Sequence, residues 1–370
     1  MPRLLPLALI ALILGGCAVA RVDLAPAPST AEVSAAEAAR GQELFPIVVG
    51  GVWGYIDAGG ETVIEPQFSA ARDFSEGRAA ARSRVRWGYI RPDGTWATEP
   101  VYASVGDFSD GRGLVGKGRA GDRLYGYVDA AGAEVVAPVL PYALPYSEGL
   151  ALVRLTADDR TGVQEFLARI GALPSATGFA FLDREGRVAF EVPGVGAASF
   201  SDGLAPFETD RGLFRSTAWG YLDASGEVAI APELDGPAFR FSEDLARVAR
   251  GGRLGFIDAE GAFAIEPAYS LAFPFSGGLA PVQVDGRWGY IAASGEVVIA
   301  PRFLSALAFS DGLAPVQTAE GWGYIDRSGA FVIPPQYARA EPFARGLARV
   351  YAGRSMRYIT ASGETVWAQN

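Results

Sequence analysis

Histidine is absent from all 370 residues, which removes the commonest general base and the commonest metal ligand together. The only cysteine is Cys17, so disulfides, cysteine-ligated zinc and a thiol nucleophile are excluded from the rest of the chain. Serine–histidine triads fall by the same count. Lysine is nearly missing too, with Lys117 the only one among 32 basic residues. The formal net charge is −10, and an acidic chain with scattered arginines repels a phosphate backbone, so no nucleic acid partner is expected. Nothing in the inventory asks for a cofactor or a metal. Hydrophobic residues make up 49% and charged residues 20%, a balance that suits a large buried core and excludes a disordered chain.

The first 16 residues hold one basic residue, Arg3, and then the apolar run LLPLALIALILGG. That run is too short to span a bilayer and suits a signal peptide. It ends in Leu14-Gly15-Gly16-Cys17, which resembles the bacterial lipobox. The resemblance implies cleavage before Cys17 and acylation of its sulfur, hence a lipid bilayer as partner and a cell-envelope location. Ala18, where an Asp would imply inner-membrane retention, points by the same resemblance to the outer membrane of a Gram-negative bacterium. Residues 18–44 are rich in Ala, Pro and Ser without apolar periodicity and read as a flexible tether, roughly 30 Å end to end. The expected organisation is therefore a signal peptide at 1–16, a lipidated Cys17 with tether at 17–44, and a folded body at 45–370.

The body repeats. Anchor residues Trp53, Trp87, Tyr125, Phe179, Trp219, Leu254, Trp288, Trp322 and Met356 are each followed two positions on by an aromatic and seven positions on by a glycine. A second block of the form FSDGLAPV begins 21 or 22 residues after eight of these anchors, at Phe74, Phe108, Tyr146, Phe200, Phe241, Phe275, Phe309 and Phe343. Each unit reads as three strands, as in GLAPVQV, RWGYIA and EVVIA at 278–300, joined by glycine-containing turns of hairpin length. The fold class expected is all-β, a tandem array of about nine three-stranded antiparallel meanders stacked face to face. The array is propeller-like, either closed or an open superhelix. Prolines such as Pro206, Pro281 and Pro315 mark the first strand as an edge strand. Pro66, Pro232, Pro301 and Pro335 are expected to stop the third strand. The Gly of Trp-Gly is expected to receive a bulky aromatic from the neighbouring unit. The column Asp57, Asp129, Asp183, Asp223, Asp258 and Asp326 suits turn structure, since one Asp per unit offers too few oxygens for calcium.

These columns are similar to the bacterial WG-repeat family and cover residues 45–370 almost completely. The departures are Phe179-Ala180 and Met356-Arg357 in place of Trp-Gly, and the long insertion before Phe179. The resemblance implies the repeat architecture and no reaction.

Three consecutive units carry extra residues, all between the second block and the next anchor. The largest, 155–177, contains Val163, Phe166, Leu167 and Ile170 at helical spacing and is expected to form one short amphipathic helix. Stacking brings the three insertions to one edge, where an envelope protein or glycan partner is expected to meet Asp158, Arg160, Glu165, Arg169, Asp210, Arg211, Phe214 and Arg215. The functional expectation is a non-enzymatic, membrane-anchored binding or protein-interaction scaffold. Two alternatives stand beside it. One is a glycan- or peptidoglycan-binding protein or glycan hydrolase, the hydrolase drawing two carboxylates from Asp158, Asp159, Glu165, Glu208 and Asp210. The other is a purely structural spacer.

Overall fold

A computed structural model describes residues 44–155, 178–210 and 217–369. These form nine antiparallel sheets, seven of four strands and two of three, arranged as the blades of a closed β-propeller. In blade 7 the four strands are Leu271–Ala272, Leu279–Val284, Arg287–Ala292 and Val297–Phe303, here called A to D, each paired with the next in sequence. The described residues contain no helix, and none of them could cross a membrane as one. The expected helical insertion lies outside the described residues.

The expectation of three-stranded units with an edge strand at LAPV is corrected here. Strand A, often only two residues, pairs with the edge of strand B that faces away from strand C, as Ala272 does with Val282. The strand-B prolines face the strand-A side, where each has an accepting carbonyl but no N–H to offer. The carbonyl of Pro281, which faces the same side, accepts from the amide of Phe273 at 2.9 Å. In blade 8 the carbonyl opposite Pro315, that of Leu307, takes its hydrogen bond from the Tyr290 hydroxyl at 2.8 Å instead.

Two further expectations are corrected together. The Trp-Gly glycine does not receive an aromatic ring from the next blade. Trp288 pairs with Phe303 and Tyr290 with Ile299, so the three residues Ala300, Pro301 and Arg302 face Gly289 alone across a β-bulge. A Cβ on Gly289 would lie 2.4 Å from the Ile299 carbonyl oxygen and 2.7 Å from the Pro301 nitrogen. Pro301 therefore does not end the strand; it sits in the bulge, where its lack of a donor is harmless. The two units without the glycine lack the bulge. In blade 4 Ala180 pairs directly with Glu191 and Phe181 with Phe190, and in blade 9 Arg357 pairs with Ala368 and Tyr358 with Trp367.

The aspartate column forms the C–D turns as expected. Asp326 Oδ1 accepts from the amides of Ser328 and Ala330 at 2.9 and 3.0 Å, and Gly329 takes φ +86°. Hydrogen bonds from the Ser225 and Ser328 side chains, with those amides, hold the Asp223 and Asp326 carboxyls below their ordinary range.

The core lies between blades. Each middle-strand aromatic meets the block aromatic of the next blade edge to face, from Tyr55 on Phe74 at 4.9 Å to Tyr324 on Phe343 at 4.8 Å. Buried tyrosine hydroxyls bond backbone carbonyls one blade on, as Tyr290 does to Leu307 at 2.8 Å. Burial raises the pKa of these tyrosines far above neutrality, so each remains a donor. The FSDG block joins the same junctions. Ser276 Oγ donates to the Phe309 carbonyl at 2.7 Å, and the Glu243 carboxylate accepts the Gly277 and Gly278 amides of the next A–B turn at 2.7 and 2.9 Å. Glu76, Asp110, Glu148, Asp202 and Asp311 hold the following turn in the same way.

The array closes, which settles the open alternative. Among the described residues blade 1 consists of Phe45–Val49, Val52–Ile56 and Thr62–Phe68 without a strand A, and no block aromatic faces Tyr358 of blade 9. Phe45 supplies the ring instead, 5.5 Å from Tyr358, at a strand-B position that is Ala or Gly in every other blade. The Tyr358 hydroxyl donates to the Pro46 carbonyl at 2.9 Å, and Phe45, Ile47 and Ile56 share one buried cluster with Leu347 and Met356. Blade 9 reads Phe343-Ala344-Arg345-Gly346 where its neighbours read FSDG or close to it. With no A–B turn in blade 1 to hold, Arg345 lies on the Phe45 ring, and Arg349 reaches Asp73 of blade 2 at 3.1 Å.

Candidate functional site

Antiparallel connectivity places the A–B and C–D turns at one end of every blade and the B–C and D–A connections at the other. Hydrogen bonds between turns agree: Arg78, just after an A–B turn, bonds the Ala130 carbonyl in the next blade's C–D turn at 2.7 Å. The three inserted connections are B–C connections of blades 3, 4 and 5, so they share one face of the ring. The described ends of the three insertions therefore lie at one face. Of the residues named there, only Asp210 and Glu208 are described. Asp210 follows strand Leu204–Thr209, and Glu208 lies in that strand opposite Trp219. Cys17, Asp158, Asp159, Arg160, Glu165, Arg169, Arg211, Phe214 and Arg215 lie outside the described residues.

A site that the sequence reading did not single out lies where the strands A meet. Ser75, Asp107, Tyr146, Ser199 and Arg240, from five successive blades, line one cavity of about 580 Å³. Non-adjacent blades can share a space only around the ring axis, so these residues form the inner rim. A second cavity of about 350 Å³ adjoins it, shares Ala198 and Arg240, and continues to Arg247 and Pro274. Both open beside the A–B turns, away from the inserted connections.

The rim is built largely from the two residues before each block aromatic. In the repeat these are the positions that do not recur: Arg72-Asp73, Gly106-Asp107, Leu144-Pro145, Ala198-Ser199, Phe239-Arg240, Phe273-Pro274, Leu307-Ala308 and Glu341-Pro342. The residues around them are committed to the junctions, and these pairs are left to differ. Alignment of the repeats does contain the signal, as a variable pair between fixed columns.

The rim carries uneven charge. Asp107 stands 3.5 Å from Arg72, whose guanidinium lies 5.3 Å from the Trp87 ring centroid. Toward the seam, Arg349 bonds Asp73, Glu341 and the Tyr358 hydroxyl at 3.1, 3.3 and 2.9 Å. Blades 7 and 8 present Phe273, which stacks on Trp288 at 5.0 Å and stays partly exposed, with Pro274, Leu307 and Ala308. Among the described residues no group of three or more acidic, histidine or cysteine side chains could hold a metal. The arrangement can hold an extended, amphipathic ligand; its 580 Å³ cavity has Asp107 as its only carboxylate.

No curated protein sequence matches the chain. Among solved structures it is similar to a crystal structure of a eukaryotic initiation factor, with a TM-score of 0.62, 11% identity, and coverage of 88% of this chain and 96% of that one. It is also similar to BamB from Moraxella catarrhalis, with a TM-score of 0.41, 14% identity, and coverage of 89% and 94%. At such identities the likeness concerns the fold alone. The WG containing repeat matches at residues 53–83, 87–118, 125–156, 219–253, 255–288, 288–320 and 322–353, more than half of the chain. These matched segments carry every turn aspartate except Asp183 and the bulge glycines described above, and the chain belongs to the WG containing repeat family.

Proposed function

We propose that the chain is a non-enzymatic binding scaffold of the cell envelope, anchored through acylated Cys17, whose propeller holds a segment of an envelope protein in the inner-rim cavity. One observation carries this reading: the recurring residues are spent on the junctions between blades, while the pairs that differ in blades 3 to 6 line one cavity. A regular scaffold with an irregular concave surface is the general form of a binding repeat protein. The lack of histidine and the single carboxylate of the larger cavity argue against hydrolysis there, which requires two carboxyl groups about 5–10 Å apart. The inserted face offers a second contact area through Asp210 and its neighbours.

Capture of a partner from envelope extract by the full chain tests the reading. Ser199→Trp, which fills the cavity, should abolish capture with little change in melting temperature. Capture unaffected by that change, or turnover of peptidoglycan by the purified chain, overturns it. Metabolic labelling with a fatty-acid analogue tests the anchor: the wild type should be labelled and Cys17→Ala should not.

A further inference from the structure

Two blades place an arginine at the sixth position after the block aromatic, where others have Pro, Leu or Ala. Arg349 in blade 9 is fully partnered by Asp73, Glu341 and the Tyr358 hydroxyl. Arg247 in blade 6 is not. The position of Glu341 is held there by Phe239, and the position of Tyr358, across the ladder, by Phe256. Arg247 keeps one bond, to the Ala272 carbonyl at 2.7 Å, and lies 4.4 Å from the Phe239 ring centroid. Its Nε is buried without a partner, and no carboxylate among the described residues pairs with it. Arg240, next to Phe239, lines the same cavity of about 350 Å³, likewise without an ion pair. That cavity has no acidic residue in its wall, in a protein of net charge −10.

We infer that Arg240 and Arg247 form a carboxylate-binding subsite that takes an acidic side chain of an extended peptide lying along the inner rim. The ring contains its own comparison: the same arginine is closed by two carboxylates in blade 9 and left open in blade 6. A guanidinium fork matches a carboxylate in two parallel bonds, and an orphaned buried donor gains most from receiving one. Phe239, Pro206 and Pro274 give the subsite apolar walls, which suit a peptide better than a hydrated inorganic ion. This inference rests on the scaffold reading and adds the chemistry of the ligand.

The test is anisotropy of fluorescein-labelled hexaglutamate with the full chain, with hexaglutamine as control. The wild type should bind hexaglutamate, more weakly as salt rises, and should ignore hexaglutamine. Arg247→Leu, the residue of blades 3 and 4 at this place, and Arg240→Ala, the residue of blade 8, should each weaken binding about tenfold, or about 1.4 kcal/mol. Neither should lower the melting temperature, because each installs a residue that the ring already uses. Wild-type affinity in both variants, or equal displacement by inorganic phosphate, overturns the inference. No binding of hexaglutamate, with partner capture from extract intact, removes the subsite and leaves the scaffold reading standing.

Discussion

Replacing Gly289 by alanine separates the bulge explanation from ordinary strand preference. Gly289 has no left-handed φ, so its backbone would accept alanine. In such a place Gly→Ala usually stabilises by about 0.4–1 kcal/mol through the unfolded chain. Here the new methyl would stand 2.4 Å from the Ile299 oxygen, 2.7 Å from the Pro301 nitrogen and 2.9 Å from the Ala300 carbonyl carbon, all backbone atoms that cannot rotate aside. Strand D must move out by the order of 1 Å. Overpacking of that kind costs about 1–3 kcal/mol. A central loss of about 2 kcal/mol corresponds to roughly 3 °C in melting temperature for a domain of this size, at about 2.1 cal/mol/K of unfolding entropy per residue. The assay is thermal unfolding followed by circular dichroism, with a urea titration to check that the slope is unchanged. Deleting Ala300 and Pro301 in the Gly289→Ala background removes the bulge, keeps the alternation of faces, and reproduces the pairing of Ala180 with Glu191; it should recover at least half of the loss. A Gly289→Ala variant as stable as the wild type would refute the reasoning.

Other junctions give further expectations. Ser276→Ala removes a bond to the next blade and should cost about 1 kcal/mol, read by chemical denaturation, whereas blade 9 already tolerates Ala344 because no A–B turn follows it. The lowered pKa of Asp326 means that its contribution to stability is present above the unfolded carboxylate pKa and is lost as pH falls through the lower folded value. The melting-temperature gap between wild type and Asp326→Asn should therefore be open at neutral pH and close well below about pH 4. Arg349→Leu deprives Asp73, Glu341 and the Tyr358 hydroxyl of their common partner, so amide exchange in Phe45–Val49 should speed up while that in Leu279–Val284 stays slow. Equal exchange in both strands would show that the seam does not depend on this arginine.

The sequence carries the repeat number, the strand character of each block and the turn aspartates openly, because these are short-range matters of alternation and turn chemistry. Closure was written less visibly. It rests on Phe45 where other blades place Ala or Gly, and on Arg345 where they place Asp, Glu or Gly, and both become meaningful only once Tyr358 and Phe45 are known to meet. The role of the Trp-Gly glycine was misread because alternation counts one residue per position, whereas the bulge sets three residues against one. Strand A escaped because two residues, such as Leu271–Ala272, are too few to show a period. The rim was overlooked for a different reason. Attention to fixed columns and to long insertions passed over a pair of positions, such as Phe239-Arg240, whose property is to vary without changing length.

The seam has one more consequence. Each of the nine junctions joins an aromatic ring to an aromatic ring, and most add a hydroxyl on a carbonyl. Eight of them are also crossed by the peptide chain, and the ninth is not; among the described residues no strand from one end enters the sheet at the other. The ring is thus a cycle with nine edges that the chain traverses by eight, and the place of the break is not fixed by the architecture. A chain begun at Gly286 in the B–C turn of blade 7, with a short linker joining Gln369 to Leu44, has the same nine edges in a different order. What the fold specifies is the cycle, and the first residue is only the point at which it is entered.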